Sequence, residues 1–290
     1  MRIVCKDLKY TYEPKAKNKT YALNGVELTI EEGDFFGIVG KTGSGKSTFV
    51  QHLDAIVRVQ KNSGELTVGE FDLADTKKKD FRDLRKKVGM VFQYPEYQLF
   101  AETVEADVEF GLKNYFPEMD EINRKNAVRY ALEAVGLDYL KIKNKSPFDL
   151  SGGQKRRVAI AGVIVTKPEI LVLDEPASGL DPEGKKELFR LLHELHKDFA
   201  KTVIVVSHDM NVITENCNRA AIFADGKIVK SGTPKEVFSD EAEIESYGLN
   251  LPTTVYLTNR LKEAGIEIDS DLTVKDFTET LYGTIKETGR

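Results

Sequence analysis

Two hydrophobic periods alternate along this chain, and their order predicts a layered α/β fold. Ile3–Tyr12 and Val26–Ile30 alternate apolar and polar positions, the period-two pattern of strands covered on one face. Phe35–Val39 is a short continuous apolar run, followed by a Gly-rich turn and a helical stretch from Lys46. That is the strand, loop, helix order of a phosphate-binding unit. Glu65–Val68 and Val88–Phe92 read as further strands, and the charged stretch Lys77–Lys87 between them sets Phe81, Leu84 and Val88 at helical spacing. From Thr103 to Thr166 the pattern is helical. Thr103 caps a helix running to about Asn114, Asn123–Val135 repeats the period and stops at Gly136, and Ser151–Thr166 forms a third helix. Ile170–Leu173, Thr202–Val206 and Arg219–Phe223 return to β-branched runs, with Pro182–Phe199 as a helix between the first two. Strands alternating with helices imply a mostly parallel sheet covered on both faces.

The helical block interrupts the strands of the main sheet and therefore reads as an insertion. After Gly232 the composition changes: Pro234–Phe238 reads as a short helix, and Thr253–Ala264 and Thr273–Ile285 as amphipathic helices starting at Thr caps, separated by Gly265–Leu272. With 290 residues the chain exceeds one average domain. The expected organisation is a main domain over residues 1–240, a helical subdomain inserted at about residues 96–166, and a helical extension over residues 241–290.

Composition narrows this picture. Lys plus Arg is 42 against 47 Asp plus Glu, a net charge of −5, which argues against a nucleic-acid binder. Cys5 and Cys217 are far apart and suggest neither a zinc site nor a redox pair. They fit a reducing cytosol. The N-terminal residues lack the unbroken apolar core of a signal peptide. No stretch approaches the roughly 20 apolar residues of a membrane span, so work at a membrane would need spans from another chain.

The chemistry begins at Gly40-Lys-Thr-Gly-Ser-Gly-Lys-Ser47, the phosphate-loop pattern. Gly40, Gly43 and Gly45 let successive N–H groups turn inward around phosphate oxygens, and the following helix adds its N-terminal partial charge. Lys46 supplies a point charge for the β- and γ-phosphates and Ser47 a hydroxyl for Mg²⁺. The expected nucleotide contacts run through Gly40, Lys41, Thr42, Gly43, Ser44, Gly45, Lys46, Ser47 and Thr48. The apolar run Ile170–Leu173 ends in Asp174, placed to orient Mg²⁺, and Glu175, placed as general base for an attacking water. A GTPase would need Asn-Lys-x-Asp, and Asn144-Lys145-Ser146-Pro147 lacks the Asp.

Leu150-Ser-Gly-Gly-Gln154, just before a helix, resembles the signature of the ABC ATPase family. The resemblance spans about residues 2–232 and implies that Ser151, Gly152, Gly153 and Gln154 meet ATP held by an opposite subunit. It also implies an adenine-stacking role for Tyr12, with Tyr10 a weaker substitute, and a Mg²⁺ and water contact for Gln93. Ser178-Gly-Leu-Asp181 resembles the loop that crosses the dimer interface, and His208 the switch histidine at the γ-phosphate. His52, His193 and His196 fall on predicted helices as surface or packing residues. The basic run Lys155-Arg156-Arg157 reads equally well as a solvated face.

Val91-Phe-Gln-Tyr-Pro-Glu-Tyr-Gln-Leu-Phe100, with Thr103, Val104, Asp107, Phe110 and Gly111, resembles the energy-coupling-factor (ECF) transporters and their cobalt/nickel relatives. The intact Asp174–Asp181 stretch, the extra length between Tyr12 and Tyr21, and the helical tail look like the second of the two ECF ATPase paralogues, while Lys41 and Tyr94 depart from its usual residues. The resemblance implies an ATPase driving uptake of a vitamin or transition-metal ion, with ATP and Mg²⁺ as cofactors. It implies a second cassette as partner, a heterodimer being favoured, together with a transmembrane coupling protein and a membrane substrate-binding subunit, at the cytoplasmic face of the membrane. A groove after Gln93 would receive a helix of the coupling protein, with Glu96, Glu102, Glu105 and Asp107 as acidic counterparts for its Arg. An ordinary importer or exporter ATPase is the nearest alternative. A soluble member acting on ribosomes or DNA is disfavoured by the single signature and the lack of sustained heptads.

Overall fold

The computed structural model describes residues 1–15, 20–75, 77 and 80–288. In chain order the strands are β1 (Ile3–Tyr10), β2 (Leu23–Ile30), β3 (Phe35–Gly40), β4 (Glu65–Val68), β5 (Phe71–Asp72), β6 (Val88–Val91), β7 (Ile170–Asp174), β8 (Thr202–Ser207), β9 (Arg219–Ala224) and β10 (Lys227–Gly232). Among the described residues they form an antiparallel sheet, β2-β1-β4-β5, and a larger sheet, β10-β9-β3-β8-β7-β6. The larger sheet is parallel except for β10.

The apolar runs are continuous because this sheet is buried on both faces. Phe36, Ile38, Ile170, Val172, Ile204 and Val206 point into one core, beneath the antiparallel sheet. Their neighbours Phe35, Val39, Leu171, Leu173, Val203 and Val205 point into the other, shared with the helices. Parallel registry pairs Val39 with Ser207 and Asp174 with Val206. The carboxyl ends of β3, β7 and β8 therefore open onto one edge, where open α/β sheets bind ligands.

The helices are α1 (Lys46–Leu53), α2 (Arg82–Lys87), α3 (Val104–Tyr115), α4 (Glu121–Ala134), α5 (Tyr139–Ile142), α6 (Gly152–Ile164), α7 (Pro182–Asp198), α8 (Met210–Asn216), α9 (Pro234–Val237), α10 (Glu241–Ser246), α11 (Thr253–Glu263) and α12 (Val274–Thr288). The block α3–α6 lies between β6 and β7, as the pattern predicts. Thr103, Asp120, Asp138 and Ser151 cap its helices by accepting N–H bonds from Ala106, Asn123, Lys141 and Gln154.

Several boundaries differ from expectation. Tyr12 is not in β1: the Thr11 N–H and carbonyl turn to the Gln60 side chain instead of a neighbouring strand. The Lys77–Lys87 helix starts only at Arg82, because the Asp80 carboxylate accepts the Arg82 N–H at 2.8 Å, a turn that competes with the helix. Residues 76, 78 and 79 of that stretch lie outside the described residues, as do residues 16–19 of the length between Tyr12 and Tyr21. Helix α11 has no Thr cap; the Thr253 N–H goes to Asn211 Oδ1 on α8 at 2.7 Å. Thr273 does accept the Asp276 N–H, at 3.2 Å. Strands β5 and β10 and helices α5, α8 and α10 escape the sequence reading.

The tail is continuous with the main core through Ile244, Leu249, Val255 and Leu272, and the Val274 N–H donates to Glu215 on α8. Among the described residues no helix is long and apolar enough to cross a membrane.

Candidate nucleotide site

The loop after β3 is built around its glycines. Gly45 has φ 108 and its Cα faces the Ala22 carbonyl, so any side chain there would strike backbone. The loop then enters α1, where the Lys46 amine is buried and donates to the carbonyls of Gly40 at 2.7 Å and Lys41 at 2.8 Å. Burial pulls the pKa of this amine down, and the nearby Glu175 and Asp174 oppose that pull.

Tyr12, Thr42, Gly43, Gly45, Lys46, Ser47, Thr48, Gln93, Glu175 and His208 line one cavity of about 400 Å³, together with Ala22. The segments that follow β1, β3, β6, β7 and β8, with the turn before β2, thus bring together residues scattered over most of the chain. Gly40, Lys41 and Ser44 are not part of this lining: the first two hold Lys46 through their carbonyls, and the Ser44 N–H donates to Lys41 O at 3.1 Å. The Lys41 side chain turns away to the tail, where it occupies the space a Cβ on Gly248 would take.

Asp174 ends β7 buried beside Ser47. Burial raises its pKa, and the Ser47 hydrogen bond and Lys46 partly offset the rise. Its Oδ1 has no hydrogen-bond partner among the described residues. No cluster of three or more His, Cys, Asp or Glu among those residues forms a protein-only metal cage. A metal held here would depend on Ser47, Gln93 and the idle Asp174 oxygen, with the remaining ligands from substrate and water.

Glu175 follows at φ 49, a left-handed turn that swings its carboxylate off the strand. Its N–H donates to Val206 O on β8 at 3.0 Å. His208 Nδ1 lies 2.9 Å from both carboxylate oxygens. The other histidines pack. His52 is fully buried, and His193 and His196 lie against the Phe35 ring.

Ser151, Gly152, Gly153, Gln154 and Asp181 do not line this cavity. Ser151 and Gln154 form a reciprocal capping box at the start of α6. A Cβ on Gly152 or Gly153 would meet nothing within 4 Å. Asp181 caps α7, accepting the Gly184 N–H at 2.7 Å.

Arg156 is a correction to the sequence reading, in which a solvated basic face sufficed. It is buried and donates to the carbonyls of Pro176 and Ser178, each at 3.2 Å, with Glu96 at 3.5 Å. It ties the signature helix to the loop after Glu175 and to the segment after Gln93. The helical period alone could not show that this face meets another loop.

A second cavity of about 560 Å³ lies between the sheet edge and α3, lined by Phe92, Gln98–Phe100, Asp107, Phe110 and Gly111, and also by Asp54, Arg82 and Arg85. Of the four acidic residues expected here only Asp107 lines it, its carboxylate accepting the N–H groups of Phe100 and Ala101 at 2.8 Å. Glu96 is held by Arg156, Glu105 accepts the Tyr139 hydroxyl, and Glu102 lies outside the lining. Asp54 was missed. It is buried, and burial pushes its carboxyl up to about 6.

With this geometry in view, comparison with known proteins is specific. The profile of the ABC transporter family matches residues 23–178. The energy-coupling factor transporter ATP-binding protein EcfA2 of Clostridium perfringens is 44% identical over 287 residues, covering 99% of each chain. That of Clostridioides difficile is 42% identical over 291 residues, covering 100% of this chain and 99% of its own. Among solved structures, cbiO1 from Clostridium perfringens, part of the ABC transporter complex cbiONQ, superposes with a TM-score of 0.72 at 35% identity, covering 89% of this chain and 98% of its own. The dimeric post-hydrolysis ADP and phosphate state of the cassette MJ0796 gives a TM-score of 0.70 at 30% identity, covering 80% and 98%.

Proposed function

Because this chain belongs to the ABC transporter family, we propose that it is the ATP-binding and hydrolysing subunit of an ECF-type transporter, working as one half of a paired cassette. One observation carries the pairing. The phosphate loop, Gln93, Glu175 and His208 share a cavity, while the exposed signature residues face open space outside it.

On this reading Tyr12 stacks on adenine, and the loop N–H groups with the start of α1 hold the phosphates. Lys46 exchanges the Gly40 and Lys41 carbonyls for the β- and γ-phosphates, regaining the anionic partners that its burial demands. Mg²⁺, when bound, neutralises charge on those phosphates; Ser47, Gln93 and the unpartnered Asp174 oxygen are the groups that would hold it. Glu175 takes the proton of a water whose oxygen attacks the γ-phosphorus, and the bond to the β–γ bridging oxygen breaks, leaving ADP and phosphate. His208 keeps the Glu175 carboxylate aimed and reaches toward the γ-phosphate. Ser151, Gly152, Gly153 and Gln154, at a helix N-terminus, complete the site of the opposite subunit, together with Asp181 at the start of α7.

The favoured partner is a paralogous cassette. The cavity lined by Asp54, Arg82, Arg85 and Asp107 is the place for a helix from a transmembrane coupling protein, which in turn carries a membrane substrate-binding subunit. The chain would then act as a peripheral subunit at the cytoplasmic face.

The test is affinity purification of the tagged chain from membranes, with identification of what comes with it. The reading expects a second cassette and integral membrane chains. Recovery without another cassette, or ATP hydrolysis by the isolated monomer at the rate of the complex, would overturn it.

A further inference from the structure

Tyr12 stands at the mouth of the nucleotide cavity with its ring 60% exposed, yet it is held from two sides. Its hydroxyl lies 3.0 Å from Thr48 Oγ1. Its ring meets Tyr10 edge to face, with centroids 5.0 Å apart at 88°. Tyr10 meets His52 in the same manner, at 4.9 Å and 81°. His52 closes the circuit on α1, its Nδ1 lying 2.7 Å from the Thr48 backbone oxygen. The carbonyl only accepts, so Nδ1 carries the proton.

Nothing in the hydrolytic mechanism uses Tyr10 or His52. Burial pulls the His52 pKa down to about 4, which keeps the ring neutral, and its Nε2 has no partner among the described residues. A buried neutral imidazole with an idle nitrogen is not placed for proton transfer. It offers Tyr10 a rigid surface, and such edge-to-face pairs are directional. The backbone on both sides of Tyr10 is also pinned: Tyr10 O accepts the Ala22 N–H at 2.8 Å, and Thr11 is clamped by Gln60.

We propose that Tyr10 and His52 are positioning residues for nucleotide binding: through edge-to-face contact they hold the Tyr12 ring where adenine stacks, linking the base platform to the phosphate-loop helix. The proposal rests on the reading of Tyr12 as that platform. Its physical content is preorganisation. An exposed tyrosine free to rotate loses side-chain entropy when a base lands on it, and one already fixed does not. The consequence falls on the base and leaves the phosphates untouched.

The experiment measures dissociation constants for MgATP and for magnesium tripolyphosphate, which lacks the base, in the wild-type chain and in Tyr12→Ala, Tyr10→Leu and Tyr10→Phe. Tyr12→Ala weakens ATP about tenfold, and Tyr10→Leu about fivefold, both with tripolyphosphate unchanged. Tyr10→Phe, which keeps the ring, restores the ATP affinity. If Tyr10→Leu binds ATP as the wild type does while Tyr12→Ala does not, the proposal falls and the platform stands. Equal weakening of both ligands in Tyr10→Leu marks a general disturbance of the fold and also overturns it. Unchanged ATP affinity in Tyr12→Ala removes the platform, and the proposal with it.

Discussion

His208 Nδ1 sits 2.9 Å from each carboxylate oxygen of Glu175, although 33 residues separate them. The registry of β7 on β8, which pairs Asp174 with Val206, delivers the two side chains to one point. The arrangement holds the carboxylate at the cavity wall and fixes which way it faces.

The first prediction follows from that pair. Glu175→Gln keeps the hydrogen bond but cannot accept a proton, so turnover falls about 100-fold or more while MgATP affinity stays within about twofold. His208→Ala frees the carboxylate and lowers kcat more than it changes affinity. Filter binding alongside steady-state hydrolysis checks both, and losses in affinity that match the losses in turnover would contradict the assignment.

Arg156 predicts a stability effect that its charge alone does not suggest. Arg156→Ala strands the buried carbonyl of Pro176 and the half-buried carbonyl of Ser178 and removes the partner of Glu96. Urea denaturation should show a loss of about 3 kcal/mol. Arg156→Lys should recover only part of it, since one ammonium cannot span partners that a guanidinium fork spans. A loss below about 0.5 kcal/mol would place Arg156 with ordinary surface residues.

Asp54 predicts a pH dependence. Its folded pKa is raised from 3.8 to about 6 by burial. Between those values the folded chain holds a proton that the unfolded chain has released, so stability falls as pH rises through that window. Asp54→Asn removes the fall. Chemical denaturation from pH 4 to 8 should show the variant gaining on the wild type as pH rises, by up to about 3 kcal/mol above pH 6. Parallel stability curves would refute this.

Gly248 joins the tail to the phosphate loop. Its φ is +61, and the Lys41 side chain lies where a Cβ would go. Gly248→Ala should cost about 1–2 kcal/mol through the left-handed backbone and should also weaken ATP binding, since the Lys41 carbonyl holds Lys46. In a Lys41→Ala background only the backbone cost should remain. The double-mutant cycle on ATP affinity checks it, and additive effects would show that the tail and the loop are uncoupled.

The phosphate loop, the acidic strand end, the signature and most of the order of strands and helices were legible in the sequence. Each rests on local rules: Gly45 at φ 108, the short continuous apolar run of β7, Thr103 and Ser151 at helix starts. These depend on a residue and its near neighbours, so they survive without knowledge of the fold. Tertiary structure decided the rest. The burial of Arg156 and Asp54, the diversion of Glu96 and Glu105 to Arg156 and Tyr139, the cap that α8 lends to α11, and the Tyr10–Tyr12–His52 seat all join elements distant in sequence. Which face of a helix is covered, and by which loop, depends on where the chain returns in space, and periodicity carries no record of that.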